Sequence, residues 1–343
     1  MEKCRLSDFE YHLPEELIAQ KPLEIRDRSR MLVLNRAEES IEHSIFYQLP
    51  EYLQQGDLLV FNDTKVIPAR LIGRIAGKEA SAEILLLHKQ DNEKWTAMVK
   101  PGKKLKPGTR VVFDRGVEAL VEEYAQNELR LISFSAPRPI EELLPELGKV
   151  PLPPYIKRDV DYPEQYQTIY AEKEGSAAAP TAGFHFTDRV FRALEEKGVE
   201  TTFITLHIGP GTFQPVNTED IRDHKMHAEF YRIDGETAET INKARREGRR
   251  VIAVGTTVCR VLETVAAEDG LLNEQEGWTD LYIYPGFTFR LVGAMMTNFH
   301  LPRSTLLMLI SAFGGYEAVI KAYREAVEKK YRFYSFGDCM LII

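Results

Sequence analysis

The sequence predicts a mixed α/β protein in which a small, all-β, barrel-like domain interrupts a large α/β domain. Strand and helix patterns alternate after the proline-rich segment 150–155, whereas short β-like runs with tight turns fill the stretch before it. A chain of 343 residues also exceeds the size at which one hydrophobic core usually stops growing. We therefore expect residues 1–67 and 149–343 to form one discontinuous domain and residues 68–148 the small one.

Few regular elements are predicted in the amino-terminal residues 1–67, before the β-like stretch at 68–148. A short helix is expected after Pro14, and strands are expected at 31–35 and 57–61. Six strands separated by Gly, Pro, Asp and Asn turns are then predicted at 69–75, 82–88, 95–99, 110–113, 117–122 and 129–134. The segment 150–155 closes this region as a stiff connector.

The rest of the chain alternates helices and strands. Thr187 is a cap for a helix at 187–198 that ends in a glycine, and a strand is predicted at 199–206. Further helices are expected at 235–248, 256–267 and 316–330, and a buried strand at 250–254. Such alternation indicates α/β layers with at least some parallel strand pairs.

Composition excludes several protein classes. Hydrophobic residues make up 44% and charged residues 28%, which is typical of a folded soluble protein. The cysteines Cys4, Cys259 and Cys339 are odd in number and far apart, so neither a disulfide framework nor a cysteine zinc site is indicated. We find no signal-like start and no apolar run of membrane length, and we expect a cytoplasmic protein without a membrane.

The net charge of −8 argues against non-specific nucleic-acid binding, yet it hides a local concentration of basic residues. Between residues 100 and 115, six Lys and Arg side chains stand against one Asp. Such a run is either a solvated hairpin tip or a surface for a polyanion.

Four polar motifs, at 175–186, 205–213, 224–229 and 297–304, contain five of the eight histidines. Because ligands bind at the carboxyl ends of strands in α/β sheets, the motif after the strand at 199–206 is a candidate binding loop, and an ordinary tight turn is the alternative. Gly255, Thr256 and Thr257 precede a predicted helix, where free amides and hydroxyls could hold a carboxylate or phosphate.

The histidines admit more than one interpretation. His224, His227 and Glu229 resemble a metal cluster, but the spacing is not that of a zinc helix and a strand pattern follows, so an acid/base role is the alternative. His185 lies between Phe184 and Phe186, and in an extended segment both rings would share one face and His185 the other. It is either a core histidine or a base in an apolar pocket.

Seven motifs in order along the chain resemble one family, the bacterial S-adenosylmethionine:tRNA ribosyltransferase-isomerases of queuosine biosynthesis. The motifs are Asn62-Asp-Thr-Lys-Val-Ile-Pro-Ala-Arg-Leu, Gly175-Ser-Ala-Ala-Ala-Pro-Thr-Ala-Gly-Phe-His-Phe, Thr205-Leu-His-Ile-Gly-Pro-Gly-Thr-Phe, His224-Lys-Met-His-Ala-Glu, Val254-Gly-Thr-Thr, Thr297-Asn-Phe-His-Leu-Pro-Arg-Ser-Thr-Leu-Leu-Met-Leu and Tyr331-Arg-Phe-Tyr-Ser-Phe-Gly-Asp. Cys259 and Cys339 depart from the pattern, standing where Ser or Thr and Ala are expected.

The resemblance implies an enzyme that transfers and isomerises the ribosyl moiety of S-adenosylmethionine. The acceptor would be 7-aminomethyl-7-deazaguanine at the tRNA wobble position, and the products epoxyqueuosine, adenine and methionine. S-adenosylmethionine would be a substrate, with no cofactor bound permanently and no metal. The resemblance further implies a monomer that acts on the anticodon loop of tRNA.

The chemistry of such a reaction suggests roles for individual residues. We expect His185 or His227 to be the base, the other histidines to be hydrogen-bond donors, and Glu229 to orient an imidazole. Substrate binding is expected at Thr181, Gly183, His207, Gly255, Thr256, Thr257, Asn298, His300 and Asp338. Contacts with tRNA are expected at Arg26, Arg28, Arg30, Lys100, Lys103, Lys104, Lys106 and Arg110. The rings of Phe184, Phe186 or Phe299 would either hold the sulfonium or pack in the core.

Two other functions remain open at this point. A metal-dependent hydrolase would use His207, His224, His227 and Glu229, and would lose activity in chelator. A tRNA-binding module without catalysis would not turn over S-adenosylmethionine.

Overall fold

The computed structural model describes residues 4–90, 93–125, 129–157, 162–209 and 216–343. The chain divides into two compact units. The larger one comprises Met1–Thr64, Pro154–Glu172 and Pro180–Ile343, and the smaller one comprises Lys65–Pro153 and Lys173–Ala179. The domain boundaries given by the sequence stay a prediction.

The described strands are, in chain order, β1 (Arg30–Asn35), β2 (Ser40–Ile45), β3 (Leu58–Asn62), β4 (Thr64–Val66), β5 (Arg70–Ile75), β6 (Ser81–Lys89), β7 (Lys94–Lys100), β8 (Arg110–Val112), β9 (Glu118–Tyr124), β10 (Arg130–Ser135), β11 (Gly148–Lys149), β12 (Lys173–Ser176), β13 (Glu200–Leu206), β14 (Glu229–Ile233), β15 (Val251–Val254), β16 (Gln275–Thr279), β17 (Ala294–Asn298) and β18 (Cys339–Ile342). The described α-helices are α1 (Ile140–Leu147), α2 (Asp188–Glu196), α3 (Gly235–Arg246), α4 (Thr256–Val265), α5 (Thr305–Gly314) and α6 (Tyr316–Glu328).

The larger unit is built on a nine-stranded mixed sheet in the order β16-β14-β13-β3-β15-β17-β18-β1-β2. The four strands β13, β3, β15 and β17 run parallel, which confirms the predicted parallel pairing. Every residue of β3, β15 and β17 is buried, as expected for parallel strands covered on both faces.

One large hydrophobic cluster lies against this sheet. It joins strand residues such as Phe61 and Met296 to Val190 and Leu194 of α2. The Thr187 side chain accepts a hydrogen bond from the Val190 amide, which confirms the predicted N-cap. The cap and the apolar stripe together fix where α2 begins and which face it buries.

The smaller unit contains a closed six-stranded barrel. Its strands follow the order β5-β6-β7-β10-β9-β8, and pairing of β8 with β5 closes the ring. The unit is not all-β as the sequence predicted, because α1 is also part of it. Ile140, Leu143 and Leu144 of that helix pack into the barrel's hydrophobic cluster, so the helix covers apolar residues that strands alone would leave exposed.

Two short 3-10 helices lie in segments that the sequence analysis considered. The short helix expected after Pro14 is the 3-10 helix Glu15–Leu17, and the chain next pairs Ile18 with Phe333. The segment that ends at His185 is the 3-10 helix Thr181–His185, so the extended geometry considered for its flanking rings does not apply.

Within the described ranges, no single helix is long and apolar enough to cross a membrane. Helices α5 and α6 reach that length and composition only when taken together, across a bend of 117°.

Candidate active site

The strand registers of the large sheet place most of the predicted site residues at one edge. Val254 pairs with Met296, and Asn298 pairs with Cys339, so the carboxyl ends of β15 and β17 lie beside the start of β18. Met31 also pairs with Cys339, which brings Ser29 to the same edge. Because β3 and β13 run parallel to β15, their carboxyl ends, followed by Thr64 and His207, face the same way.

His185 is buried at this edge with its ring held by a serine. The Ser29 hydroxyl and the imidazole Nδ1 lie 2.7 Å apart, and the ring packs 5.2 Å from the Phe46 ring. Burial, with a smaller contribution from the positive charges of Arg26 and Arg332, lowers the pKa of His185 to about 3, although a hydrogen bond with the Asn298 side chain acts in the opposite direction. His185 is therefore neutral at physiological pH.

A pocket opens beside His185. Its apolar lining comes from Pro22, Leu23, Phe184 and Phe336, and its polar lining includes Arg26 and Ser335. The rings of Phe184 and Phe336 stack with centroids 6.0 Å apart, and the Arg26 guanidinium lies 5.1 Å from the Phe184 centroid.

The three aromatic residues considered for sulfonium binding lie in different places. Phe184 lines the pocket. Phe186 packs against Phe46 and Phe61 in the core, so the two rings flanking His185 do not share one face as an extended segment would require. Phe299 is fully buried among aromatic rings. Phe184 is thus the one of the three with access to a ligand.

The 3-10 turn before His185 fits against Tyr170. A Cβ atom on Gly183 would lie 1.9 Å from the Tyr170 hydroxyl oxygen and 2.8 Å from Cγ2 of Thr168, so no side chain fits there. Thr181 begins the turn, and its neighbour Ala182 lies against Gly255. The role of Gly183 seen here is close packing, and substrate binding by Thr181 and Gly183 stays a prediction.

Gly255 connects β15 to α4 in a conformation that favours glycine, with φ +100°. No side chain caps this helix, and within the described ranges Oγ1 of the buried Thr257 has no hydrogen-bond partner. The helix therefore begins with backbone amides that no side chain caps, beside the hydroxyls of Thr256 and Thr257. Anion binding by Gly255, Thr256 and Thr257 stays a prediction.

His207 follows β13 and is held by the neighbouring strand end. Its Nδ1 lies 2.7 Å from the Thr64 hydroxyl, and its ring stacks on Phe230 at 5.8 Å. The Asn62 side chain bonds both the amide and the carbonyl of Leu206, at 3.0 Å each, which ties the two strand ends together. Residues 210–213 of the same motif lie outside the described ranges.

Glu229 forms a buried ion pair with Arg260, and both side chains are 4% exposed. Its other oxygen accepts a hydrogen bond of 2.9 Å from the Gly209 amide, so Glu229 also positions the loop that follows β13. His224 and His227 precede β14. The pKa of His224 is lowered mainly by burial and to a smaller extent by the charge of His227. That Glu229 orients an imidazole and that His227 is a base stay predictions.

His300 and Asp338 are both engaged with the protein. The Thr297 hydroxyl lies 2.7 Å from Nε2 of His300, and burial lowers the pKa of that imidazole to about 3. The buried Asp338 carboxylate accepts hydrogen bonds from the Arg30 amide and side chain and from the Arg332 amide. Substrate binding by His300 or Asp338 stays a prediction.

Two buried neutral histidines make the protein sensitive to acid. Since His185 and His300 have pKa values of about 3 in the fold, only the unfolded chain takes up their protons as the pH falls below about 6.5. Each histidine then lowers the free energy of unfolding by about 2 kcal/mol between pH 7.5 and pH 5.

Urea unfolding of wild type and of His300→Gln at the two pH values measures this effect. The variant loses about 2 kcal/mol of the pH dependence, and replacement of the exposed His12 by Gln leaves it unchanged. Equal slopes for wild type and His300→Gln would contradict the assignment.

The predicted tRNA contacts fall into two groups. In the larger unit, Arg26 donates to the Gln167 and Gln165 carbonyls, Arg30 binds Asp338 and stacks on Tyr331, and Arg28 is exposed. In the smaller unit, the five predicted residues Lys100, Lys103, Lys104, Lys106 and Arg110 are all exposed. Arg26 and Arg30 thus have structural contacts, and Arg110 forms an ion pair of 3.8 Å with Glu118. Arg28 and the four lysines are exposed to solvent.

The described residues contain no group of three or more His, Cys, Asp or Glu side chains that could hold a metal ion. Glu229, the carboxylate of the predicted metal cluster, is paired with Arg260. The donor geometry therefore gives no support to the hydrolase alternative.

Comparison with known proteins decides the family. The model of the queuosine biosynthesis protein family matches residues 6–342. The chain belongs to this family. Among curated relatives, the S-adenosylmethionine:tRNA ribosyltransferase-isomerase of Carboxydothermus hydrogenoformans is 56% identical and that of Symbiobacterium thermophilum 54%, each over 99% of this chain and 100% of the relative. The crystal structure of S-adenosylmethionine tRNA ribosyltransferase from Thermotoga maritima matches with a TM-score of 0.56 and 40% identity, over 98% of this chain and 100% of that chain.

Sequence reasoning missed several residues that hold the site of this queuosine biosynthesis family member together. Ser29, Tyr170, Arg260 and Arg332 contact or influence predicted site residues, yet the sequence analysis singled out none of them. Arg332 is within a motif of the resemblance, which was its one available signal. The other three are brought to the site only by the fold.

Proposed function

We propose that this chain is an S-adenosylmethionine:tRNA ribosyltransferase-isomerase acting in queuosine biosynthesis. The observation that carries this conclusion is the match to relatives of that name at 54–56% identity over 99% of the chain. The site geometry supports it, because a neutral buried histidine, an uncapped helix end and an aromatic pocket lie at the ligand-binding edge of an α/β sheet.

The reaction moves the ribosyl part of S-adenosylmethionine to the aminomethyl group of 7-aminomethyl-7-deazaguanine in the tRNA anticodon loop. We propose that a base removes a proton from the 5′ carbon, which the neighbouring sulfonium acidifies, and that adenine then leaves the sugar. The substrate amine attacks, and closure of an epoxide expels methionine, which gives epoxyqueuosine. S-adenosylmethionine is consumed as a substrate, and no permanently bound group enters the scheme.

The larger unit is the proposed catalytic domain, interrupted by the smaller one. His185 and His227 are the candidate groups for proton removal and for assisting departure of adenine, since two histidines in different environments can divide such tasks. The proposed assembly is a cytoplasmic monomer.

Incubation with S-adenosylmethionine and tRNA carrying the aminomethyl-deazaguanine, in the presence of a chelator, tests the function. Release of adenine together with the mass of epoxyqueuosine is the expected result. Absence of adenine, with turnover of another substrate once a divalent metal is restored, would support the hydrolase alternative. Binding of tRNA without any turnover would leave only a binding module.

The basic segment of the smaller unit gives a prediction about tRNA affinity. Lys104→Glu raises the KM for tRNA by about tenfold and makes the salt dependence of kcat/KM shallower by about one unit of slope, because one phosphate contact is lost. Steady-state kinetics from low to moderate salt measure both quantities.

Lys78→Glu is the matched control, because it makes the same charge change at another exposed position of the same unit. Equal effects of the two substitutions would mean that net charge alone, and not this segment, determines tRNA affinity.

A further inference from the structure

The amino terminus of α4 combines two features of an anion site. Helix α4 has ten residues and no side chain caps it, so its first backbone amides have no acceptor within the helix. In the same turn, Oγ1 of Thr257 is buried without a hydrogen-bond partner among the described residues, and Thr257 is only 8% exposed. Because buried polar groups in native proteins are nearly always paired, this hydroxyl indicates that a ligand completes the turn.

The Thr257 hydroxyl lies at the very start of the helix. A Cβ atom on Gly255 would be 3.5 Å from Oγ1 of Thr257 and 3.6 Å from the Cβ atom of Ala182. The Gly255 amide itself donates to the Met296 carbonyl at 2.8 Å, so the amides available to a ligand begin at Thr256. The hydroxyl and these amides therefore serve one position, at the positive end of the helix dipole.

A second group of buried hydroxyls lies against the 3-10 helix Thr181–His185, whose Ala182 contacts Gly255. Oη of Tyr170 and Oγ1 of Thr168 are buried without a hydrogen-bond partner in the part of the chain that the structure describes. A Cβ atom on Gly183 would be 1.9 Å from the Tyr170 oxygen and 2.8 Å from Cγ2 of Thr168. Both side chains thus contact the same short helix that packs on the start of α4.

The carboxylate of Asp63 adds a negative charge near this second group. The Glu172 amide donates to the Asp63 carbonyl at 2.8 Å, which holds the segment with Tyr170 beside the end of β3. Burial and, to a smaller extent, the charge of Asp63 raise the pKa of Tyr170. The Tyr170 hydroxyl therefore stays neutral, and like the hydroxyl of Thr168 it can accept a hydrogen bond from a cation.

An amino-acid group carries the two charges that these atoms suit. Backbone amides and a hydroxyl at a helix start donate hydrogen bonds to a carboxylate, whereas neutral hydroxyl oxygens near an acidic side chain accept them from an ammonium. A phosphate has no cation to place near Asp63. A nucleic-acid phosphate would also have to enter a site in which Thr168 and Thr257 are only 5% and 8% exposed. The arrangement favours the zwitterionic end of a small molecule.

We propose that the first turn of α4, with Thr257, binds the carboxylate of the methionyl group of S-adenosylmethionine, and that the Thr168 and Tyr170 hydroxyls near Asp63 bind its ammonium group. The assignment rests on the proposed function, which supplies S-adenosylmethionine. These residues hold the substrate and take no part in proton transfer.

Competition for adenine release tests the carboxylate half of the proposal. With saturating tRNA that carries the aminomethyl-deazaguanine, unlabelled S-adenosylmethionine and its decarboxylated form each compete with labelled S-adenosylmethionine. We expect the decarboxylated compound to compete about 30-fold more weakly in wild type, because hydrogen bonds to a charged group are lost. In Thr257→Val, which keeps the shape of the side chain, binding of S-adenosylmethionine weakens about tenfold and that of the decarboxylated compound by no more than about twofold.

A deaminated analogue, which keeps the carboxylate and lacks the ammonium, tests the other half in the same assay. We expect it to compete about tenfold more weakly than S-adenosylmethionine in wild type, and about threefold or less in Tyr170→Phe, which removes one oxygen atom. Each variant is the matched control of the other. Thr257→Val keeps the discrimination against the deaminated compound, and Tyr170→Phe keeps the discrimination against the decarboxylated one.

The wild-type results need no variant to fold. A preference for S-adenosylmethionine below about threefold over the decarboxylated compound would overturn the carboxylate site, and equal competition by the deaminated compound would overturn the ammonium site. An unchanged preference in Thr257→Val would also overturn the carboxylate site, and a raised KM for tRNA in that variant would indicate a tRNA phosphate at α4 instead. Absence of adenine release in wild type would overturn the proposed function itself.

Discussion

His185→Phe lowers kcat for adenine release by about 10²–10⁴-fold, the contribution typical of a positioned acid, base or hydrogen-bond donor. The substitution keeps an aromatic ring beside Phe46 and buries no new polar atom, so the fold is expected to persist. Steady-state kinetics and a thermal unfolding curve of the same preparation separate a loss of chemistry from a loss of structure.

The pH profile adds a second measurement for His185. Because burial and two neighbouring arginines hold its pKa at about 3, the ring stays neutral and its contribution to kcat is constant from pH 8 down to about 5.5. A titration near pH 6.5 that disappears in His185→Phe would contradict this. His12→Gln, on an exposed histidine, is the control and keeps wild-type kcat.

Removal of one partner of the Glu229–Arg260 pair destabilises the protein by about 3–5 kcal/mol. Both side chains are almost fully buried, so either single substitution to Leu leaves an uncompensated charge in the interior. Replacement of both by Leu should recover much of the loss, because no buried charge then remains. Urea unfolding of the two single variants and the double variant gives the coupling energy.

The exposed pair of Arg246 and Glu239 is the control, and its loss should cost no more than about 0.5 kcal/mol. Additive effects of the two Leu substitutions at Glu229 and Arg260 would contradict the pairing.

Glu229→Gln addresses function separately, since the amide oxygen can still accept from the Gly209 amide while the charge is lost. A fall in kcat beyond the change in stability would support the predicted catalytic role.

Local patterns in the sequence predicted most regular elements. The barrel strands, the Thr187-capped helix α2 and the buried strand β15 all lie within a few residues of their predicted positions. The strands β17 and β18 were not predicted, although every one of their residues is buried. A short apolar run without alternation does not distinguish a buried strand from a buried helix.

The candidate site was only partly predictable. Its histidines and Asn298 stood out because polar residues were concentrated between apolar stretches, and seven motifs supported the family. Their partners did not stand out. Ser29 lies 156 residues from His185 in the chain, and Tyr334 lies 36 residues from Asn298.

The sequence by itself determined the family, the alternation of α and β elements and the side chains available for chemistry, because periodicity, caps and motifs are local properties of the chain. Only the tertiary structure decided which of those side chains are neutral, paired or unpaired. Register in the nine-stranded sheet brings Ser29, His185 and Asn298 to one edge and buries them there, and burial sets the pKa of His185. Hydrogen bonds and desolvation depend on distances across the fold, which no local pattern of residues specifies.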